Sequence, residues 1–397
     1  KKVHRYFYWM STYYTNYQAG EADIDVFNRA RTFGSWDSND TQKGETGWMY
    51  GNGDGVLMYP GTDLRFNESN YGVPGPFAGL RLKYWRRGLQ DVEYLELLRK
   101  RKGEAAVREM LQRLVPKVLW EVDVPDPNDP SWARTNTSWP EAWDEWEKVR
   151  LEIADALEAL SPEEPPCTPK PRPPEPAPAS EPCHPTGGAL EWQTPGGGSV
   201  RVWATEEKVL REERWATCSA SETRSHLWDG GGVNLVGARN EVVSFALVLE
   251  AAPNTSGLQD VRVRLPRIGR LRSRGNVTRE DRSDRLFDWR DTQIELFYVR
   301  YLQIRGLSGN REDERLWPRR MQRPWMAASG GGGVSSGTWK DRPGADKHWP
   351  EIAVPLELHE AFNVTAGESQ MIWVDVYLPR DLEAQDLTGD LQVQIGG

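Results

Sequence analysis

The pattern of apolar and polar residues gives residues 80–160 a helical period. From Leu80, apolar residues recur at spacings of three and four, with Arg and Lys on the opposite side; they are Leu82, Trp85, Leu89, Val92, Leu95 and Leu98. This spacing predicts an amphipathic helix. Gly103 interrupts it, so we predict a second helix to about Trp120, a Pro/Asp-rich loop over 122–131, and a third helix from Trp139 to Leu160.

The residues before Leu80 have strand and turn character. Residues 3–14 predict an aromatic strand with the loop that follows it. Residues 47–61 predict glycine-rich turns around a short strand, Val56 to Tyr59, which Pro60-Gly61 ends.

The second half of the chain, 189–397, shows the alternation of short strands. Gly, Asn and Pro separate the runs, and this spacing predicts an antiparallel β-sandwich. The runs are Val200 to Trp203, Glu241 to Glu250, Val261 to Leu265, Ile294 to Ile304, Met371 to Leu378 and Leu391 to Ile395. Residues 306–350 form one long Arg-, Gly- and Trp-rich loop, typical of a binding loop or a disordered segment.

Residues 161–188 separate the two halves. They are dominated by Pro with Glu and Ala and hold almost no apolar side chain, which predicts a semi-rigid polyproline II linker. We therefore divide the chain into 1–160, a linker at 161–188, and 189–397. Cys167 and Cys183 lie inside the linker, where a disulfide and two free thiols are both open.

Composition excludes several classes of protein. The chain has 397 residues, a net charge of -9 and only 3 Cys. The acidic balance argues against a nucleic-acid partner, and the cysteines are too few for a dense disulfide scaffold or a Cys-rich zinc domain. A mean hydropathy of -0.69, without an apolar run of about 18 residues, argues against a transmembrane helix. We expect no cofactor and no metal.

Six N-x-[ST] sequons favour a secreted or extracellular protein, although such sequons also arise by chance in cytosolic proteins. They begin at Asn39, Asn67, Asn136, Asn254, Asn276 and Asn363.

Generic catalytic motifs give no catalytic residue. Gly51 to Gly55 lacks the G-x-G-x-x-G spacing, and no Walker loop, H-E-x-x-H or C-x-x-C occurs. Gly333 to Gly337 fits a nucleophile elbow but lacks the flanking strand and helix. The carboxylate pairs Asp144-Glu145 and Asp313-Glu314 are most simply solvent-facing.

An aromatic and polar group in 1–160 is the candidate binding site. It consists of Trp9, Tyr13, Trp48, Asn52 and Asp54. Aromatic rings cover the C–H face of a sugar, while amide and carboxylate groups hold its hydroxyls. The alternative is that the aromatics are core residues and that Asn52 and Asp54 only make a turn. The 19 Trp divide similarly, because only Trp9 and Trp48 lie where a sugar would be met.

Two longer segments of 1–160 carry a resemblance. GNGDGVLMYPG at 51–61, followed by LRLKYWRRGLQDVEYL at 80–95, resembles the C-terminal region of glycoside hydrolase family 123 and its relatives, also called the domain of unknown function 4091. By this resemblance Tyr6 to Met10 is similar to the last strand of a (β/α)8-type barrel, with Trp9 at the active-site end.

The second half resembles the N-terminal β-sandwich of the same superfamily. The segments are Val236 to Phe245, Tyr298 to Tyr301, and Ile372 to Pro379 with Gly389 to Val393. In the family the sandwich comes first, so the order here is reversed. We interpret the chain as a window cut from a tandem protein; a mispredicted reading frame is the other account.

The resemblance implies an α+β multidomain chain: the end of a (β/α)8-type barrel with a helical C-terminal region, then an antiparallel β-sandwich. The Asp-Glu pair that hydrolyses N-acetylhexosaminides in the family belongs to the missing barrel. We therefore expect a fragment of a secreted glycoside hydrolase that binds carbohydrate but is inactive alone. The alternative is a non-catalytic extracellular glycan-binding or structural protein. The glycan and the oligomeric state stay open.

Overall fold

The computed structural model describes a helical segment and a two-sheet segment. The described residues are 58–61, 71–73, 76–114, 123–126, 129–135, 143–160, 189–194, 196–214, 225–274, 291–303, 347–359 and 361–396. Within them the fold is α+β, with antiparallel strand pairing and no barrel. The predicted barrel strand, Tyr6 to Met10, lies outside these residues.

The helices of 80–160 lie close to their predicted positions. Its elements are the strands β1 (Met58–Pro60) and β2 (Pro76–Ala78), helix α1 (Leu80–Lys102), helix α2 (Glu104–Leu114), strands β3 (Asp123–Asp126) and β4 (Asp129–Thr135), and helix α3 (Trp143–Glu158). Gly103 ends α1 at a φ of 86°, a backbone conformation that suits glycine, and its N–H bonds to the carbonyl of Arg99.

The predicted loop over 122–131 is wrong. Residues 123–126 and 129–135 pair as a two-stranded antiparallel ribbon. Pro125 and Pro130 lie within its strands. A two-stranded ribbon has a free edge on each strand, where proline needs no ladder hydrogen bond, so their presence does not forbid the pairing.

The strands of 189–397 pair in antiparallel sheets as predicted, with extra strands. Its order is β5 (Leu190–Gln193), β6 (Ser199–Thr205), β7 (Glu241–Ala251), β8 (Leu258–Arg264), β9 (Arg267–Ile268), β10 (Leu271–Arg272), β11 (Ile294–Gln303), β12 (His348–Pro355), a 3-10 turn (Leu356–Leu358), β13 (Phe362–Val364), β14 (Ser369–Leu378) and β15 (Gln392–Gly396). The end of the predicted 306–350 loop is therefore the beginning of β12. That strand holds Pro350 and Pro355, which an edge strand tolerates.

Two sheets make the sandwich. One has six strands in the order β12-β11-β14-β7-β6-β5, and the other has three in the order β13-β8-β15. Tyr298 of β11 pairs with Ile372 of β14, and its ring meets Phe362 of β13 at 5.3 Å. The Ile372 face of the six-stranded sheet therefore looks toward the three-stranded sheet.

The other face of the six-stranded sheet is covered by α1. Residues Ser369–Val376 of β14 are all buried, although an outer sandwich face is commonly solvated. Leu80, Leu95 and Leu98 of α1 belong to the same hydrophobic cluster as Trp203 and Trp373 of the sheet. The described chain thus stacks three layers, which are helices, a six-stranded sheet and a three-stranded sheet.

Candidate functional site

The five residues predicted to bind a sugar lie outside the described residues. They are Trp9, Tyr13, Trp48, Asn52 and Asp54. Their role stays a prediction. What the structure does bring together is a group of charged side chains between the helices and the six-stranded sheet, which we call the docking interface. Its members are Lys83, Arg86, Arg87 and Asp91 of α1, Glu147 and Arg150 of α3, and Glu206, Glu241 and Asp375 on the sheet side.

Asp375 lies at the centre of the docking interface. Its carboxylate accepts from Lys83 at 2.6 Å and from Arg86 at 2.6 and 3.1 Å, both cations coming from α1. On its own sheet it accepts from Ser244 at 2.6 Å and from the Trp373 indole at 2.7 Å. Burial by itself raises the pKa of Asp375, but Arg86 and Lys83 outweigh it and hold that pKa well below its usual range.

Lys83 is buried with its partner. Its side chain is 5% exposed, and its ammonium lies 3.6 Å from the centre of the Phe297 ring. Burial lowers the pKa of Lys83, and the Asp375 carboxylate opposes that change. A buried cation held by one carboxylate and one ring face depends strongly on both of them.

A second group of charges joins α1, α3 and the beginning of β7. Arg150 of α3 forms ion pairs with Asp91 at 3.0 Å and with Glu241. The Tyr94 hydroxyl donates to Glu241 at 2.5 Å, and the backbone N–H of Ala238 donates to Glu241 at 2.7 Å and to the Tyr94 hydroxyl at 3.0 Å. Burial raises the pKa of Asp91 to about 6, although Arg150 opposes the rise.

A third group lies at the end of β6. Arg87 of α1 pairs with Glu147 of α3 and with Glu206 at 3.0 Å. The Tyr84 hydroxyl donates to the Glu206 carbonyl at 2.7 Å, and the Tyr84 ring meets Trp373 edge-on at 5.2 Å. Burial raises the pKa of Glu206 well above its usual range; Arg87 opposes the rise and the neighbouring Glu147 adds to it.

Gln90 of α1 pairs with a free strand edge. Strand β6 pairs with β7 only from Ala246 onward, which leaves Val242 without a β6 neighbour. The Gln90 amide, oriented to satisfy both groups, donates to the Val242 carbonyl at 3.1 Å and accepts from the Val242 N–H at 2.8 Å. The helix side chain thus continues the ladder where the strand ends.

The hairpin β1–β2 makes a smaller contact beside α1. Tyr59 and Phe77 are buried against Ile352 and Val354 of β12. Gly79 forms a backbone bridge to Ile352. Both segments of the longer motif, 51–61 and 80–95, therefore place residues on the sandwich.

The turn before β7 explains another motif, Val236 to Phe245. A Cβ at Gly237 would lie 2.5 Å from a Val243 methyl group and 2.7 Å from a Leu378 methyl group, so any larger residue would require these side chains to shift. Asn240 has a φ of 66°, and its N–H bonds to the Leu378 carbonyl at 2.7 Å. This turn presents Ala238 and Glu241 to Tyr94.

The arrangement fixes a helix to a sheet rather than leaving an open reaction centre. Asp375, Asp91 and Glu241 are each ion-paired with a Lys or Arg side chain of the helices. Among the described residues, no group of three or more His, Cys, Asp and Glu side chains could hold a metal ion. No helix in the described part of the chain is long and apolar enough to cross a membrane.

Sequence reasoning found the helix but missed the docking interface. Lys83, Arg86 and Arg87 lie opposite the apolar stripe, yet they contact the sheet. The one signal was Asp375, a carboxylate within the apolar run Met371 to Leu378. A charge in such a run predicts a buried, paired group.

Comparisons with known proteins find a weak structural similarity to a glycoside hydrolase. No family model matches the chain, and no curated protein matches it. The structure of a family 123 glycoside hydrolase from Clostridium perfringens, described for glycolipid glycan hydrolysis, is similar at 8% identity and a TM-score of 0.21. The match covers 40% of this chain and 19% of that chain. A TM-score this low carries no functional conclusion.

Proposed function

We propose that this chain is a fragment, without the catalytic barrel core, of a secreted carbohydrate-acting protein related to family 123 glycoside hydrolases. One observation carries the proposal: the two motifs that resemble that superfamily meet each other. Tyr94, from the segment 80–95, donates its hydroxyl to Glu241, from the segment 236–245. Two segments that resemble parts of one architecture are expected to fit together if the chain has that architecture.

The sugar-facing residues of this proposal are Trp9, Tyr13, Trp48, Asn52 and Asp54. Their rings supply apolar faces for the sugar C–H groups, and their amide and carboxylate groups accept from its hydroxyls. Because the family that the motifs resemble hydrolyses N-acetylhexosaminides, oligosaccharides that contain N-acetylhexosamine are the first probes.

The chain by itself is proposed to be inactive. Asp375, Glu241 and Asp91 are ion-paired in the docking interface, and a hydrolase needs two carboxyl groups flanking an open bond. This pairing also favours the second candidate, a non-catalytic extracellular glycan-binding or structural protein.

Binding and hydrolysis by the full chain distinguish these functions. We expect N-acetylhexosaminide oligosaccharides to bind in titration calorimetry without release of free sugar. Trp9→Ala and Trp48→Ala should each weaken binding at least tenfold, whereas Trp192→Ala, at a 37% exposed position on edge strand β5, should not. Equal losses in all three variants would contradict the assigned site. Absence of binding by the unaltered chain would leave the structural candidate, and sugar release would contradict inactivity.

Glycosylation of the sequon asparagines tests whether the protein is secreted. Asn254, at a φ of 62°, and Asn363, on β13, are both exposed acceptors. We expect the natural protein to lose mass on treatment with peptide N-glycosidase. Unmodified asparagine at both positions would contradict a secretory route.

A further inference from the structure

Three arginine side chains at the end of β8 and in the hairpin β9–β10 have no carboxylate partner among the described residues. Arg262 and Arg274, before and after them in the sequence, each pair with carboxylates at 3.1–3.2 Å. Arg264, Arg267 and Arg272 are exposed, and within the described part of the chain none of them has an ion pair or a side-chain hydrogen bond. A guanidinium group has five N–H donors, so these three side chains are available to a ligand.

Arg267 and Arg272 lie directly opposite each other in the hairpin. They form one cross-strand pair of β9 and β10, and Ile268 with Leu271 forms the other. Ile268 and Leu271 pack on the hydrophobic core, whereas both arginines are exposed. Like charges at directly opposite positions, with Cβ atoms about 4.5–5.5 Å apart, destabilise a strand pair. An anion between the two guanidinium groups would replace this repulsion by charge-assisted hydrogen bonds.

Backbone contacts hold this pair in place without a ligand. Gly269, in the turn of the hairpin, has a φ of 53°, and its N–H bonds to the Thr388 carbonyl at 2.8 Å. The Arg272 N–H donates to the Gln293 side chain at 3.1 Å, and the Arg272 carbonyl accepts from the Gln293 N–H at 2.9 Å. A site whose backbone is fixed beforehand loses less entropy when a ligand binds.

The neighbouring loop limits how much negative charge a ligand can bring. The Arg270 guanidinium donates to the Asp381 carbonyl at 3.1 Å, which places residues 380–390 beside the hairpin. Four exposed carboxylates of this loop have no ion pair with Arg264, Arg267 or Arg272 in the described structure; they are Asp381, Glu383, Asp386 and Asp390. Because these carboxylates repel a densely charged polymer, the hairpin suits one anionic group on an otherwise uncharged molecule.

We propose that Arg267 and Arg272 bind one carboxylate or sulfate group of an acidic sugar, and we call this pair the arginine clamp. Guanidinium groups match the oxygen atoms of such anions with paired N–H donors. Arg264, three residues before Arg267, adds further positive charge. The choice of a sugar as the carrier of the anion rests on the proposed function, whereas the clamp itself rests on the hairpin. The clamp is separate from Trp9 and Trp48.

Titration calorimetry of the full chain with three tetrasaccharides tests the clamp. They are chondroitin sulfate, its desulfated form, which keeps the carboxylates, and uncharged chitotetraose. We expect an acidic tetrasaccharide to bind more tightly than chitotetraose, and to bind less tightly in about 0.5 M sodium chloride. Arg267→Gln and Arg272→Gln should each weaken that binding about tenfold. Arg262→Gln removes the same charge from a side chain already paired with Asp260, so it is the matched control and should leave binding unchanged.

The two acidic tetrasaccharides identify the anionic group, because only the first of them carries sulfate. Sodium sulfate is the fourth titrant, and tighter binding of this free ion than of either acidic tetrasaccharide would overturn the choice of a sugar. Binding of chitotetraose through Trp9 and Trp48 should not respond to Arg267→Gln or to salt. Failure of the sugar-facing site and failure of the clamp therefore give different results.

The melting temperature separates a binding role from a structural one. Because Arg267 and Arg272 repel each other, Arg272→Gln should not lower the melting temperature of the chain without ligand. An acidic tetrasaccharide that binds should raise the melting temperature of the unaltered chain and should not raise that of Arg272→Gln. Acidic tetrasaccharides that bind no better than chitotetraose, or equal losses of binding in Arg262→Gln and Arg272→Gln, would overturn the proposal.

Discussion

The outer faces of the two sheets differ in how far their charged side chains are exposed to solvent. On the three-stranded sheet, buried Val261 and Val263 of β8 alternate with the more exposed Arg262 and Arg264, and the outer face is polar. On the six-stranded sheet, β14 is buried on both faces because α1 covers the outer one. A carboxylate beside an arginine is therefore exposed to solvent on one face, whereas on the other face the carboxylate is buried beneath α1.

The difference predicts unequal costs for losing one charge. Exposed pairs such as Arg262 and Asp260, at 3.1 Å, contribute about 0–1 kcal/mol. Breaking a buried pair leaves an uncompensated charge and costs about 3–5 kcal/mol. Each of the following variants is designed to break or sharpen that contrast.

The largest effect is expected from Asp375→Asn. The change leaves Lys83, which is 5% exposed, without its carboxylate, so the free energy of unfolding should fall by about 3–5 kcal/mol. Urea unfolding of the full chain measures it. Asp260→Asn on the exposed face should change it by less than about 1 kcal/mol, and equal losses for both variants would refute the contrast.

The pH dependence should be next in size. Burial raises the pKa of Glu295 to about 7 from an ordinary 4.5, and Asp375 adds to the rise, whereas Lys83 and Arg274 oppose it. The folded state then holds a proton that the unfolded chain releases, so stability falls as the pH rises from about 4.5 through 7. Asp91 acts in the same direction up to a pKa of about 6.

We therefore expect the free energy of unfolding to be lower at pH 8 than at pH 5, by on the order of 2 kcal/mol. Glu295→Gln should flatten that slope, since the neutral amide cannot titrate. A slope that rises with pH, or one that Glu295→Gln leaves unchanged, would contradict the burial of this carboxyl group. Below pH 4 the opposite trend is expected, because the Asp375 carboxyl takes up a proton in the unfolded chain, whereas its lowered pKa keeps it ionised in the folded state.

A smaller loss is expected from Tyr94→Phe. The hydroxyl donates to the buried Glu241 carboxylate and accepts from the Ala238 N–H, so its removal should cost about 1.5–3 kcal/mol. Tyr377→Phe is the control, because that hydroxyl donates to Asn240 at 3.1 Å on an exposed surface. Chemical denaturation of both variants should separate them by at least about 1 kcal/mol.

The smallest effect concerns the turn between the two sheets. Gly257 has a φ of 74°, and a side chain there would lie 2.5 Å from the Val364 carbonyl oxygen. Gly257→Ala should cost about 1–3 kcal/mol and lower the melting temperature. Gly103→Ala, at a φ of 86° with nothing within 4 Å, keeps the backbone penalty without the clash and should cost less.

Local patterns predicted most elements but not their neighbours. The helical period from Leu80 and the apolar runs at Glu241 and Met371 each became the expected helix or strand. A period identifies the two sides of a helix, yet it cannot tell which distant strand will cover the charged side. Contacts such as Lys83 with Asp375 join residues far apart in the sequence, and only the tertiary fold brings them together.

The candidate sugar site is at the opposite extreme. Trp9, Trp48 and Asp54 were singled out by residue type and by resemblance, and they lie outside the described residues. Their assignment depends on sugar chemistry alone. Some residues of the docking interface, by contrast, lie in a motif that the sequence had already singled out. Arg86, Asp91 and Tyr94 belong to the segment 80–95 that carried the resemblance.

The central claim is that the motif helix is fixed to the sandwich by ion pairs to carboxylates buried in the sheet, Asp375 above all. A double-mutant cycle on Arg86→Gln and Asp375→Asn, read by urea unfolding of the full chain, tests it most directly. We predict a coupling energy of at least about 1.5 kcal/mol, against less than about 0.5 kcal/mol for Arg262→Gln and Asp260→Asn. Additive losses at Arg86 and Asp375 would contradict the claim.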